Sequence, residues 1–148
     1  MSARTDRSLS PFILAPKEAI AASLAELQRG RKVTHWMWFV FPQLEGLTPN
    51  PSPTSQRYAL RDRVHAEAFL DDADLGPRLR ARTEAVLQHS TMTAEDIFGY
   101  PDWLKFRSCM TLFATIDGPD SCFQRALEVF FDGVPDDRTL VLLNPAGR

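Results

Sequence analysis

The 148-residue chain has little of what small proteins use to advertise a chemistry. Its two cysteines, Cys109 and Cys122, are too few for a disulfide framework. Both fall within apolar helical patterns, where a free thiol behaves as a small buried hydrophobe. There are three histidines and no HExxH, CxxC or aspartate-rich calcium loop, so no metal site is expected. The seven glycines form no phosphate-cradling loop, and no cofactor is expected. No apolar run is long enough to span a bilayer. The stretch Pro11-Phe12-Ile13-Leu14-Ala15 is too brief for the apolar region of a signal peptide, so a cytoplasmic protein without a membrane partner is expected. An excess of positive charge is lacking as well. Seventeen Lys and Arg stand against nineteen Asp and Glu, a net charge of −2, which argues against a duplex nucleic acid partner.

What is there fits one soluble domain. Hydrophobic residues at 44% and charged residues at 24% are ordinary for a globular protein, and this length suffices for a single core. Residues 1–15 are expected to be a loosely ordered lead-in, 16–144 one helical domain, and 145–148 a tail. After Pro16, Ile20, Leu24 and Leu27 share a helical face, with Gly30 as a natural stop. Thr34 is placed to cap a short helix over 35–40, and Pro42 pushes Phe41 toward extended backbone. Prolines 49, 51 and 53 mark an irregular loop. Short helical pieces over 56–60 and 64–70 precede a long helix over 75–89 begun by Asp74. Thr93 starts a turn that Gly99 ends. Residues 102–116 read as a helix apolar nearly all round, which belongs at the centre of a fold. A helix over 121–131 follows. Residues 139–143 are β-rich in composition yet have no partner strand. The fold class is therefore all-α, a single multihelical domain.

The densest feature is His35-Trp36-Met37-Trp38-Phe39-Val40-Phe41-Pro42-Gln43. Each large ring here can bury about 150–250 Å². An aromatic wall edged by polar tips suits a core or the lining of a small-molecule cleft. His35 is the candidate catalytic residue, a general acid or base; the plainer reading has it holding a helix start. His65 and His89 are expected on the solvated surface. Trp36 and Trp38 are candidates to stack on a planar ring, with Gln43 and Tyr58 hydrogen-bonding to it; the plainer reading puts these aromatics in the core. On the 102–116 helix, Lys105 and Ser108 are candidates for an anion subsite with Arg31, Arg57 or Arg107. Alternatively, Ser108, Thr111 and Thr115 bond back to the preceding turn. Asp96, Asp102 and Asp137 show no spacing that suggests a carboxylate pair.

One resemblance rests on several peptides taken in order. They are Gly30-Arg31-Lys32, the aromatic block through Leu44, Gln56-Arg57-Tyr58-Ala59, Leu75-Gly76-Pro77-Arg78-Leu79, Ile97-Phe98-Gly99, Met110-Thr111-Leu112-Phe113 and Asp137-Arg138-Thr139. Together they resemble a bacterial domain-of-unknown-function family, number 1810, over roughly residues 17 to 143. The resemblance implies a single multihelical domain and brings no established activity. The chain departs from the family pattern at Phe12 to Pro16, where a glutamine is lost, at Cys109, where serine is usual, and in the proline loop from Thr48 to Pro53.

The function expected is binding, or hydrolysis at an N-glycosidic bond, of a nucleotide or ADP-ribose-like small molecule. Such a partner carries a planar ring and an anionic group. Its site residues are His35, Trp36, Trp38, Gln43, Arg57, Tyr58, Lys105 and Ser108. The enzymatic reading rests on analogy with other small helical proteins. The alternative is a non-catalytic interaction or structural domain whose signature aromatics are core.

Overall fold

A helix apolar nearly all round must be covered over most of its surface, and the one over Asp102–Asp117 is, with Leu104 and Thr115 left exposed. In the structure, a computed structural model that describes residues 6–144, it is the eighth of ten helices. The ten are α1 (Ser10–Ile13), α2 (Lys17–Arg29), α3 (Met37–Val40), α4 (Pro53–Tyr58), α5 (Arg63–Asp71), α6 (Leu75–Leu87), α7 (Ala94–Phe98), α8 (Asp102–Asp117), α9 (Cys122–Phe131) and α10 (Asp137–Leu143). Helices α5, α7, α9 and α10 pack around α8, whose Phe106, Cys109, Met110, Leu112 and Phe113 are fully buried. Helix α6 forms a second hub against α2, α5 and α9. No strand occurs among the described residues. A single parallel bridge joins Leu44 to Leu60.

Two glycines are required by close approach. Gly30 ends α2 in the left-handed region at φ +88°, and a Cβ there would lie 3.0 Å from the His89 ring. Gly76 lets α6 start against the end of α5: a Cβ would lie 2.0 Å from the Leu70 carbonyl oxygen.

Several local expectations change. Residues 139–143, β-rich by composition, are helical. The Asp136 carboxylate caps this segment by accepting from Thr139 N at 3.0 Å, and α10 then packs on α8. Thr34 does not cap α3, because its groups are spent on Glu26. His65 is buried rather than solvated. Its Nδ1 accepts from Arg61 N at 3.0 Å, leaving Nε2 to donate to the Ser8 carbonyl at 3.2 Å. His89 is half-buried and donates from Nε2 to the Leu27 carbonyl at 2.8 Å, satisfying the end of α2. Of the lead-in, residues 1–5 lie outside the described residues, as does the tail 145–148. Residues 6–15 are fastened to the domain. Arg7 pairs with Asp62, and Phe12 is buried against Tyr58, His65 and Phe69.

Candidate functional site

The aromatic block is positioned by one buried carboxylate. Ser23, Glu26 and Leu27 lie on the inward stripe of α2, and the chain returns past them after the Gly30 turn. Glu26 accepts four hydrogen bonds: from Val33 N at 2.7 Å, Thr34 N at 3.0 Å, the Thr34 hydroxyl at 2.6 Å and Trp36 Nε1 at 2.9 Å. Burial by itself would raise the carboxyl pKa, but the donors outweigh it and hold the group at about 2. Lys32 closes the other side, with its ammonium 2.8 Å from Asp102 and 5.1 Å from the Trp36 ring.

This anchorage sorts the block into two faces. Trp36, Met37, Phe39, Val40 and Phe41 are buried in the core, and the Phe41 ring meets Phe98 and Phe106 edge-on. Trp38 is only half-buried and walls a narrow slot of about 50 Å³ between α3, α4 and Lys105. Tyr58 lines the same slot, braced by Phe39 at 5.2 Å and Phe12 at 5.8 Å. The slot wall over Gln43–Glu45 is held to Leu60 by backbone bonds of 2.8 and 3.0 Å. Arg61 adds bonds to the Glu45 carboxylate at 3.0 Å and to the Gln56 and Ala59 carbonyls at 3.2 and 3.3 Å.

Beyond Gln43, Thr48 and Lys105 the slot adjoins a wider cleft of about 610 Å³. Its lining includes Tyr100, Arg107, Ser108, Asp136 and Arg138, so three cations face one carboxylate. Arg107 is spent on the loop before α10, donating to the Val134 and Pro135 carbonyls at 3.1 Å each. Asp136 is spent on its cap and on the Ser108 hydroxyl at 3.3 Å. Lys105 sits between the clefts, 3.8 Å from Asp102 and 5.7 Å from the Trp38 ring. Arg138 is exposed and makes no ion pair with another described residue.

Of the eight residues expected at the site, five line this pair of clefts: Trp38, Gln43, Tyr58, Lys105 and Ser108. Three do not. His35 is exposed and lines neither cleft, because its neighbours Thr34 and Trp36 are both tied to Glu26 and turn it outward. Trp36 is inaccessible, with its indole N–H spent on Glu26. Arg57 is exposed on α4 and lines neither cleft, although its neighbours Gln56 and Tyr58 line the slot. Among the α8 hydroxyls the plainer expectation holds: Thr111 and Thr115 donate to the carbonyls four residues back at 2.8 Å each, and Ser108 shares its one proton between the Leu104 carbonyl at 3.2 Å and the Asp136 carboxylate at 3.3 Å. Both thiols are buried, which pushes Cys109 well up and Cys122 to about 11, so neither suits a nucleophile at neutral pH.

Sequence reasoning missed Glu26, Arg61, Tyr100 and Arg138. For Glu26 a signal existed: an acid on an apolar helical stripe, which is tolerated only when donors surround it. For Arg61 and Arg138 nothing in the local pattern separates them from surface arginines. Among the described residues no group of His, Cys, Asp or Glu side chains is placed to hold a metal ion.

A family model described as "Protein of unknown function (DUF1810)" matches residues 6–143. The chain belongs to this family. A solved family-like structure shares the fold closely: the conserved hypothetical protein Rv1873 from Mycobacterium tuberculosis is 42% identical, with a TM-score of 0.87 over 92% of this chain and 96% of that one. No curated protein matches the chain. No helix among the described residues is long and apolar enough to cross a membrane. The family description carries no activity, so any functional reading rests on the two clefts.

Proposed function

We propose that this DUF1810 member binds a small organic anion with a planar ring, of the nucleotide class, across the slot and the wider cleft. The observation that carries the reading is Lys105. It is the one cation on both linings, placed between an aromatic wall and a cleft whose charge is net positive. A ring beside Trp38 and Tyr58 gains stacking and burial, while an anionic group beside Lys105 and Arg138 gains charge-assisted hydrogen bonds. Gln43 and Thr48, at the junction, supply an amide and a hydroxyl to fix orientation.

Binding is the part of the expectation that the clefts favour over hydrolysis. Activating water at a glycosidic carbon needs a free base on the cleft. His35 lies off it, the Glu45 carboxylate on the slot wall is paired with Arg61, and the Asp136 Oδ2 already accepts from Thr139 and Ser108. A structural role for the rest of the signature is favoured by a separate observation. Trp36 is fully buried and bonded to Glu26, so its conspicuous ring is accounted for by packing alone.

A thermal-shift screen with nucleoside mono- and diphosphates and ADP-ribose tests the reading. A binder should raise Tm in proportion to the logarithm of its concentration over Kd. Lys105→Met should remove that shift while the unliganded Tm stays nearly unchanged. No shift with any member of the panel would leave the interaction or structural reading in its place.

A further inference from the structure

The peptide unit between Leu60 and Arg61 carries two hydrogen bonds in opposite directions. Its carbonyl oxygen accepts from Glu45 N at 2.8 Å, on the wall of the slot, and its N–H donates to His65 Nδ1 at 3.0 Å. A peptide unit is planar and turns as one body, so whatever displaces the N–H also swings the carbonyl. We infer that this unit is a proton-operated latch on the slot: neutral His65 holds it in place, and a proton on His65 Nδ1 releases the wall at Glu45 and Gly46. The latch concerns the slot wall itself and stands independently of the ligand proposed above.

The partners of the ring define its hydrogens. The Arg61 N–H can only donate, so Nδ1 is bare, and Nε2 carries the hydrogen that it gives to the Ser8 carbonyl at 3.2 Å. A second proton on Nδ1 would face the Arg61 N–H donor to donor. Turning the ring over gives no relief, because both nitrogens of the cation carry hydrogen. Departure of the ring is opposed as well. His65 is 2% exposed, the Phe12 ring lies 6.3 Å away, and its backbone N–H is bonded to the Asp62 cap at 3.0 Å. The bond from Nε2 to Ser8 survives protonation, so the peptide unit is the part that gives way.

Release has a route into the slot. Leu60 N donates to the Gln43 carbonyl at 3.0 Å, on the far side of the same bridge. The Arg61 guanidinium bonds to the Glu45 carboxylate at 3.0 Å and to the Gln56 and Ala59 carbonyls at 3.2 and 3.3 Å. Gln43, Glu45, Gln56 and Ala59 all line the slot.

Burial is the largest influence on the ring and keeps it neutral to below the usual pH 6.5. The Arg61 guanidinium repels the cation, while Asp62 at the head of α5 and Asp6 on the lead-in attract it. Both carboxylates are already engaged, Asp62 with Arg7 and Asp6 with Ser8 N at 2.8 Å. On α6, Arg78 lies behind Phe12 and donates to its carbonyl at 3.4 Å. Helix α8 meets α5 through the Phe113 and Phe69 rings.

Nuclear magnetic resonance of the full chain between pH 8 and 4 tests the latch, with the His65 ring signals reporting its own titration. The amide signals of Glu45, Gly46 and Arg61 should shift with the same midpoint as the His65 ring, below pH 6.5, while those of Met110 and Phe113 in the core stay in place. His65→Gln offers an oxygen to Arg61 N and an amide N–H to Ser8 but takes up no proton, so it should abolish the shift at Glu45 and Gly46. Glu45→Gln, which removes the one carboxylate lining the slot, should retain the shift at Gly46 and Arg61. If His65→Gln does not fold, the match of midpoints in the unmodified chain and in Glu45→Gln decides. A His65 titration that the slot amides do not follow would overturn the inference. So would a shift that persists in His65→Gln or vanishes in Glu45→Gln, or unfolding of the chain before the His65 ring takes its proton.

Discussion

Trp36 and Trp38 are two residues apart and face opposite fates. Trp36 is fully buried, its ring under the Lys32 ammonium and its N–H on Glu26. Trp38 keeps part of its ring free, beside a slot that Lys105 overhangs. The Trp36 side is built on Glu26, whose carboxylate accepts from Val33 N, Thr34 N, the Thr34 hydroxyl and the Trp36 indole, so its loss would strand several donors at once. The Trp38 side has polar groups at its rim and empty space between them. The contrast separates the part of the signature that holds the fold from the part open to a ligand.

The comparison can be broken most severely at Trp36. Trp36→Ala should cost about 3–5 kcal/mol, visible as a large drop in the denaturant midpoint. If Trp36→Ala proves nearly neutral, Trp36 is not the structural half of the pair. Next comes the carboxylate beneath it. A folded-state pKa of about 2 for Glu26, against 4.5 ordinarily, contributes stability that is fully present above about pH 4.5 and lost as pH falls toward 2. That contribution is on the order of 3 kcal/mol. Glu26→Gln should lower stability at pH 7 and flatten this acid limb in unfolding curves recorded between pH 5 and 2. An unchanged limb would assign the acid sensitivity to another group.

A milder acid effect is expected from His65. Burial, the foremost cause, lowers its pKa below the usual 6.5. The imidazole is held neutral, with Nδ1 accepting from Arg61 N. Stability linked to it is complete above about pH 6.5 and declines as pH falls toward the lowered folded value. His65→Gln should reduce this dependence, as read from Tm between pH 7 and 5. On the open side, effects on stability should be small. Lys105→Met, removing a loose ion pair and a cation–π contact, should change stability by about 1 kcal/mol or less. Smallest of all is His35→Ala, within about 0.5 kcal/mol, with no change in ligand affinity. Loss of binding in that variant would return His35 to the site and contradict its outward placement.

The helices that could be read from the sequence are those whose signals are local. Pro16 and Gly30 bracket α2, and the continuous apolarity of 102–116 marks α8 as central. Asp74, the expected cap of α6, makes no cap bond with its side chain; the Asp72 carboxylate accepts from Leu75 N at 2.9 Å instead. Residues 139–143 misled because composition spoke for strand while the deciding interactions came from outside the segment: the Asp136 cap and the α8 surface it packs on. The same division runs through the site. Trp38, Gln43 and Tyr58 were legible because an aromatic and amide cluster is unusual anywhere. Arg61 and Arg138 were not, since a surface arginine and a stapling arginine look alike until their carbonyl partners are in place.

By itself the sequence determined the all-α class, the central place of the 102–116 helix and the peptides that mark family membership, because periodicity, caps and rare peptides act over a few residues. Tertiary structure alone decided which tryptophan is buried and which meets the cleft. That choice depends on Glu26, ten positions upstream of Trp36, drawing one side of the block inward by hydrogen bonds; its place on an apolar stripe signals that donors must surround it, but only the folded chain decides which donors they are.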